Sequence, residues 1–317
     1  MFVRIGIILL NYNNSKDTLN AIRSISQSIG SNSHALVVVD NNSTDNSVEL
    51  INGFIKENYL LHTHEISDYI PNKIKSIPTI YFLPLQQNNG YAAGNNAGIK
   101  FLLNDITITH FWILNNDVEI HANCIQNLEN GLQKNSNRDA GIFGTLLINF
   151  FDRTKLQALG GFYNPYLAKT TLILPNAVVN NLTEKQIVQS EKKTNYFIGA
   201  SIILTKELIL KVGLLNENYF LYSEEIDICL RAKKVGLTKK MIYDAIVYHK
   251  EGGTTGKFQK KLNLFVEHHN IRSKIIFTKL YYKKFYLFVL FLLTIHYTVL
   301  FKGNMFIALK LIRNAKK

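Results

Sequence analysis

Asp117 closes the run Phe111-Trp112-Ile113-Leu114-Asn115-Asn116-Asp117, in which four apolar residues give way at once to two amides and an acid. A short apolar run bounded by polar residues reads as a strand buried on both faces, and open α/β sheets bind ligands beyond the carboxyl ends of such strands. A carboxylate there could anchor a hard divalent cation, Mg2+ or Mn2+, whose other ligands are phosphate oxygens and water. His249 ends the strand-like run 241–248 and could supply a second ligand, since imidazole suits Mn2+ better than Mg2+. The same Asn-Asn-Asp would also serve as a plain turn after a strand.

Glu224-Glu225-Ile226-Asp227 sets three carboxylates at the head of a helical segment, with Glu224 and Asp227 on one face. Acids there complement the helix dipole. Crowding also raises the pKa of at least one toward the range of a general base, and Phe220-Leu221-Tyr222 just ahead would desolvate them. Two more polar clusters follow apolar runs, Asn11-Tyr12-Asn13 and Asp40-Asn41-Asn42-Ser43-Thr44-Asp45. The second carries enough hydrogen-bonding capacity for the ribose and base of a nucleoside, and suits equally an Asx turn with Ser43 or Thr44 capping the next helix. Asn89-Gly90-Tyr91 opens a segment with glycines at 90, 94 and 98. That spacing allows close approach of phosphate to a helix start, or of helix to sheet, and matches neither the P-loop nor the dinucleotide fingerprint.

The elements that must hold these groups alternate. Residues 3–10 read as a strand, followed by a helix capped by Ser15, with Asp17 in its first turn and Leu19, Ile22, Ile25 and Ile29 on its apolar face. Residues 35–39 form a second strand, and Val48, Ile51, Phe54 and Ile55 a second helical face. Residues 58–79, with Pro71 and Pro78, read as a loop or insertion; a strand over 80–85, a helix over 92–103 and a strand over 111–114 follow. This alternation implies a parallel sheet, which brings residues 11–13, 40–45 and 115–117 to one edge. Beyond about 120 the pattern loosens, with turns at Gly160-Gly161 and Pro165, a polar stretch over 175–195, a strand over 197–204 containing Gly199, and a Gly-Thr loop over 252–256.

At 317 residues, 47% hydrophobic and 19% charged, the chain has enough apolar material for one large domain or two small ones. Cys124 and Cys229 sit in apolar-periodic segments, as buried thiols of a reducing compartment do. The net charge of +13 is uneven: residues 1–249 hold 22 Lys+Arg against 21 Asp+Glu, whereas 250–317 hold 14 against 2. Such a block suits a polyanion, and the apolar run 285–301 inside it favours an anionic membrane surface over nucleic acid. A helix over that run spans about 26 Å against a hydrocarbon core of about 30 Å. Lysines on both sides suit a helix lying in the interface or a re-entrant hairpin better than a crossing; a core-packed helix or a dimer surface is the soluble alternative. Residues 1–10 run straight into Asn11 with no cleavage site, so they read as a first strand and not as a signal peptide.

Over residues 3–275 the order and spacing of these motifs resemble the inverting glycosyltransferases of family 2 with the GT-A fold, especially the rhamnosyltransferase-like branch. The resemblance implies an α/β fold: a Rossmann-like, mostly parallel sheet flanked by helices, here with a C-terminal helical extension. It implies donor contacts from Asn11, Tyr12, Asn13, Asp40, Asn42, Ser43, Asn89, Gly90, Asn95 and Asn116. The family's metal-binding Asp-x-Asp falls on Asn115-Asn116-Asp117, leaving Asp117 as the only carboxylate, and a later His with Gly and a hydroxyl falls on His249, Gly252 and Thr254. The family's Glu-Asp-x-Asp falls on residues 224–227, which makes Glu225 the expected base, one methylene longer than the usual Asp, with Asp227 in reserve.

The resulting expectation is an enzyme that moves a sugar, rhamnose or another hexose, from a nucleotide-diphosphate donor to a hydroxyl of a cell-surface glycan or lipid-linked acceptor, assisted by Mg2+ or Mn2+. Residues 1–120 would hold the nucleotide sugar, 121–255 the acceptor, and 256–317 the inner face of the cell membrane. Three other readings are open. A sugar nucleotidyltransferase would release pyrophosphate. A membrane or nucleic-acid binding module would leave the polar strand ends and the acidic cluster without purpose. A glycoside hydrolase needs acids on opposite sides of a scissile bond, which neighbours at one helix start hardly provide.

Overall fold

The computed structural model describes residues 3–28, 30, 34–59, 61–62, 79–135, 139–251 and 263–316. Most of the expected loop over 58–79, together with Ile29, Gly252 and Thr254, lies outside them.

The first half builds β1 (Ile5–Asn11), α1 (Ser15–Gln27), β2 (Ala35–Asp40), α2 (Ser47–Asn58), the two-residue β3 (Leu61–His62), β4 (Thr79–Pro84), α3 (Tyr91–Leu103) and β5 (His110–Asn115). Every residue of β1 and β2 is buried, which is why these runs are apolar without alternation. Ile5, Ile7 and Leu9 pack with Ile22 and Ile25 of α1 and Ile51 and Ile55 of α2. Ile8, Leu10, Val37 and Val39 face Ile99 and Leu102 of α3 on the other side. Two of the spaced glycines serve this packing, because a Cβ at Gly94 or Gly98 would lie 2.6 Å from a side-chain carbon of Leu10 or Ile8. Helix α1 begins at Ser15 itself, with Asn14 as the capping residue. Ser43 caps nothing; its hydroxyl reaches back to Asp40.

The second half adds β6 (Val118–Ile120), α4 (Cys124–Lys134), β7 (Ala140–Asn149), β8 (Leu156–Ala158), β9 (Gly160–Asn164), β10 (Lys169–Ile173), α5 (Glu184–Lys193), β11 (Ser201–Thr205), α6 (Lys206–Val212), α7 (Glu224–Lys234) and β12 (Thr238–His249). All strands but the β9-β10 hairpin join one sheet in the order β3-β4-β2-β1-β5-β11-β7-β12-β6, with β8 beside β7. Pairing is parallel from β3 through β5. It turns mixed where β11 enters antiparallel between β5 and β7. The strand expected over 197–204 starts only at Ser201, and residues 199–200 form a turn at the sheet edge.

One pairing positions the site. Asn116 and Asp117 link β5 to β6, and β6 pairs antiparallel with β12 in a register that sets His249 opposite Val118. Asp117, one residue before Val118, is thereby brought against His249 although 132 residues separate them.

Three helices close the chain: α8 (Leu264–Tyr281), α9 (Tyr286–Leu300) and α10 (Met305–Ala315). Ser273 of α8 donates to the Leu221 carbonyl (2.8 Å), and Phe277 packs edge-on against Tyr163. The two halves also meet at Gly90, whose φ is +93° and where a Cβ would lie 2.4 Å from the Phe220 carbonyl oxygen. The next residue, Tyr91, donates its N–H to that same oxygen (2.7 Å).

Gly90→Ala should therefore destabilise the fold by at least about 1–3 kcal/mol. Gly53→Ala, in α2 with open space around its Cβ, should stabilise it by up to about 1 kcal/mol. Denaturant midpoints measure both; equal midpoints for the two variants would contradict the contact at Gly90.

Candidate active site

A cleft of about 560 Å3 opens at the carboxyl ends of β1, β2 and β5. Tyr12, Asn41, Tyr91, Asn115, Asp117 and His249 line it together with Glu224 and Glu225 at the start of α7 and Phe265 of α8.

Asp117 and His249 are both buried, with His249 Nε2 at 3.1 Å from Asp117 Oδ1. The other ring nitrogen, Nδ1, lies 2.8 Å from Gln157 Oε1, a side chain on β8. Held between the Gln157 amide and the Asp117 carboxylate, the ring is fixed in orientation with Nε2 on the cleft side beside the acid. A carbonyl that holds the far nitrogen is the arrangement that orients a metal-ligating histidine. Among the described residues no group of three His, Cys, Asp or Glu is placed to hold an ion. A pair is sufficient for Mg2+ or Mn2+ when phosphate and water complete the shell.

Asn115, where the family motif has an acid, accepts a hydrogen bond from the Tyr91 hydroxyl (2.9 Å), which also lies 2.9 Å from the Gly199 carbonyl. Burial, and then the charges of Glu224 and Glu225, push the Tyr91 phenol up, so it remains a neutral donor. Asn116 reaches the cleft, but its side-chain amide donates to Thr18 Oγ1 (3.0 Å) and toward Asn11 Oδ1 (3.3 Å), tying this link to α1 and β1.

Glu224 and Glu225 enter the cleft from a turn in which Tyr222 and Ser223 both hold left-handed backbone, φ +69° and +73°. Each acid has a buried Oε2 with no hydrogen-bond partner. Burial pushes both carboxyls up, Glu225 to about 7, and the neighbouring Glu225 charge raises Glu224 further. Asp227 stands apart from the cleft and is fully buried. It accepts from Arg231 Nε (2.6 Å) and the Tyr281 hydroxyl (2.5 Å). Arg231 in turn donates to the Val212 and Leu214 carbonyls, so this pair ties α7 to α8 and to the end of α6.

The residues expected around a nucleoside divide in two. Tyr12 and Gly90 line the cleft. Asn11, Asn13, Asp40 and Ser43 are knitted to one another: Asn11 Nδ2 donates to Asp40 Oδ1 (2.7 Å), the Ser43 hydroxyl donates to Asp40 Oδ1 (2.6 Å), and the Asn13 N–H donates to Ser43 Oγ (2.9 Å). Asn42 and Asn89 are exposed, and Asn95 is buried with its amide donating to the Tyr91 carbonyl (2.9 Å). Asn41 takes the place in the cleft instead; its amide donates to Asn88 Oδ1 (2.9 Å) and its buried Oδ1 has no partner. Neither Asn41 nor Gln157 was singled out by sequence. Asn41 lay inside the marked polar cluster, whereas nothing in the sequence around Gln157 points to His249.

Asp227→Ala should cost about 1–3 kcal/mol of stability, because it takes the acceptor from the partly buried Arg231 guanidinium and from the Tyr281 hydroxyl. Urea denaturation checks this; unchanged stability combined with lost turnover would make Asp227 a participant in catalysis.

The sequence profile of Glycosyl transferase family 2 matches residues 6–189. The low-salt glycan biosynthesis hexosyltransferase Agl10 of Haloferax volcanii is 23% identical over 279 residues, covering 87% of this chain and 77% of that protein. The dTDP-rhamnosyl transferase RfbF of Shigella flexneri is 25% identical over 234 residues, 72% of each chain. Among solved structures, the Pyrobaculum calidifontis mannosyltransferase PcManGT, in complex with GDP-Man and Mn2+, superposes with a TM-score of 0.59 at 11% identity, over 99% of this chain and 74% of that one. The sheet flanked by helices is the GT-A fold of such enzymes. With a profile match over more than half its length, the chain belongs to glycosyl transferase family 2.

Proposed function

We propose that this glycosyltransferase moves a hexosyl group from a nucleoside-diphosphate sugar to an acceptor hydroxyl in one inverting displacement, with Glu225 as the base. The observation that carries the proposal is the division of charge in the cleft. Asp117 stands on one wall of it beside His249, Glu224 and Glu225 enter from α7, and among the described lining residues there is no Lys or Arg. A diphosphate is repelled by such a surface unless a cation accompanies it.

Asp117 and His249 are the residues that would hold the cation, with Gln157 fixing the ring. When bound there, Mg2+ or Mn2+ offsets the charge gathering on the departing nucleoside diphosphate. Glu225 takes the proton of the acceptor hydroxyl as the hydroxyl oxygen bonds to the anomeric carbon. The carbon–oxygen bond to the diphosphate breaks with its electron pair passing to the phosphate oxygen, and attack from the far face inverts the configuration. Burial raises both Glu224 and Glu225, and the two acids titrate as a pair, with Glu225 brought to about 7.

Donor contacts fall to Tyr12, Asn41, Gly90 and Asn116, with Asn11, Asn13, Asp40, Asn42, Ser43, Asn89 and Asn95 shaping the loops behind them. Residues 1–120 supply the donor half and 121–255 the acceptor half. Rhamnose or another hexose is the sugar, as in the relatives' names. The acceptor is a cell-surface or lipid-linked glycan at the cytoplasmic membrane face, which the basic, apolar segment 256–317 supports.

Glu225→Gln should lower kcat by about 10²–10⁴-fold with donor binding retained. Release of a nucleoside diphosphate, and not pyrophosphate, identifies transfer; full turnover by the variant would remove the base from the scheme. In the wild type kcat/KM should rise with pH through about 7, because Glu225 must be ionised. Stability has the opposite sign. A folded-state pKa above the unfolded one favours folding below the unfolded carboxylate value, and that contribution is lost as pH rises through about 7. Gln157→Leu should weaken Mn2+ affinity about 10–100-fold, read by titration with the free ion, while leaving the fold intact.

A further inference from the structure

Helix α9 is apolar on every side, but its sides meet different surroundings. Val289, Leu293 and Tyr297, spaced four apart, are buried against the body. The Tyr297 hydroxyl donates to Glu267 Oε2 of α8 (2.5 Å). Leu287, Phe288, Phe291, Ile295 and Val299 face outward, and α10 continues this surface with Phe306; Leu287 and Phe306 are 77% exposed and Val299 72%. Exposed contiguous apolar surface of this kind marks an interaction site.

Charge identifies what covers it. Residues 268–317 contain ten Lys or Arg and no Asp or Glu. Lys283 and Lys284 are exposed at one end of α9, Lys302 at the other, and Lys310 and Arg313 lie on α10. A two-fold dimer through this face would set one cationic array against its own copy. An anionic bilayer takes both the apolar side chains and the lysines. Lys283–Leu300 is 18 residues, about 27 Å and apolar enough to cross about 30 Å of hydrocarbon, but one side of α9 is already committed to α8, which favours the in-plane geometry.

The bond from Tyr297 to Glu267 also sets direction, since it joins the last turn of α9 to the first turn of α8. That first turn carries Phe265 and Val266, which line the cleft. We propose that α9 and α10 dock in the plane of an anionic bilayer and hold the cleft mouth at headgroup level, so that the acceptor hydroxyl is presented by a lipid-anchored molecule. This rests on the glycosyltransferase reading for the acceptor, whereas the docking itself does not.

The test uses the full chain and reads no transfer activity. Phosphatidylcholine vesicles containing phosphatidylglycerol should co-sediment the protein, and vesicles of phosphatidylcholine alone should do so far less. Joint Lys283→Gln and Lys284→Gln substitution should weaken binding about 10–30-fold. Phe306→Ser should also weaken it, with the circular dichroism spectrum unchanged in every variant. Equal binding to both vesicles, or a salt-independent dimer of the same face without vesicle binding, would overturn the docking. Protein that resists both high salt and alkaline carbonate would show a crossing helix and overturn the in-plane geometry. Cys124 and Cys229 are buried, so a single introduced cysteine can carry an environment-sensitive dye. A dye at Leu264→Cys should shift to the blue on vesicles, and one at Ile106→Cys, beyond the opposite edge of the sheet, should not. A shift at Leu287→Cys without one at Leu264→Cys would overturn the placement of the cleft. Failure of any arm leaves the nucleotide chemistry standing; loss of sugar transfer with docking intact would count against that chemistry alone.

Discussion

The register of β12 against β6 is the constraint on which the cleft depends. It brings the last residue of one strand beside a two-residue link 132 positions earlier, and so pairs the imidazole of His249 with the carboxylate of Asp117. A slip of one residue would turn His249 to the other face of the sheet. The register is held by its surroundings. β12 is also parallel to β7 over most of its length, and Val247, two residues before His249 and on the same face of the strand, is fully buried. Gln157 reaches the ring only because β8 lies along the other side of β7. Three strands of the second half thus converge on one imidazole.

The opposing acids are held by a different device. The left-handed turn at Tyr222 and Ser223 starts α7 with two carboxylates aimed into the cleft, and Asp227 one turn later anchors the helix from behind. Two consecutive non-glycine residues with positive φ are costly and persist only where the surroundings compensate. Here Phe220 is held by Tyr91, and Leu221 by Ser273, on either side of the chain that makes the turn. Burial of these acids, each with one oxygen unpartnered, costs stability, and burial is what raises Glu225 to about 7.

Much of this was legible in the residues and some was not. Continuous apolar runs announced β1, β2 and β5, and abrupt polar ends announced which edge would carry chemistry. Asp117, His249, Glu224 and Glu225 do meet in one cleft, since strand-end position is fixed by local pattern. Residue type said less about direction. Asp40 and Asn11 look like ligands for a nucleoside, but their polar atoms hold β1 and β2 together, and the adjacent Asn41 is the residue that faces the cleft. Asp227 stood in reserve behind Glu225 as the base. Its pairing with Arg231 at helical i, i+4 spacing was the available signal that it would be engaged elsewhere. Gln157 was beyond reach, because its partner is set by tertiary pairing alone. Asn115 acquires a meaning only in three dimensions: it accepts from Tyr91 in a cleft already crowded with carboxylates, where a further acid would add repulsion.

The central claim is that the Asp117–His249 pair makes an acidic cleft receptive to a diphosphate. Calorimetric titration of UDP, dTDP and GDP, each with and without Mn2+, against the wild type and Asp117→Asn tests it most directly. The account predicts that at least one nucleotide binds the wild type only when Mn2+ is present, and that Asp117→Asn removes that dependence together with the binding. Equal affinity with and without the ion, unchanged in the variant, would contradict it.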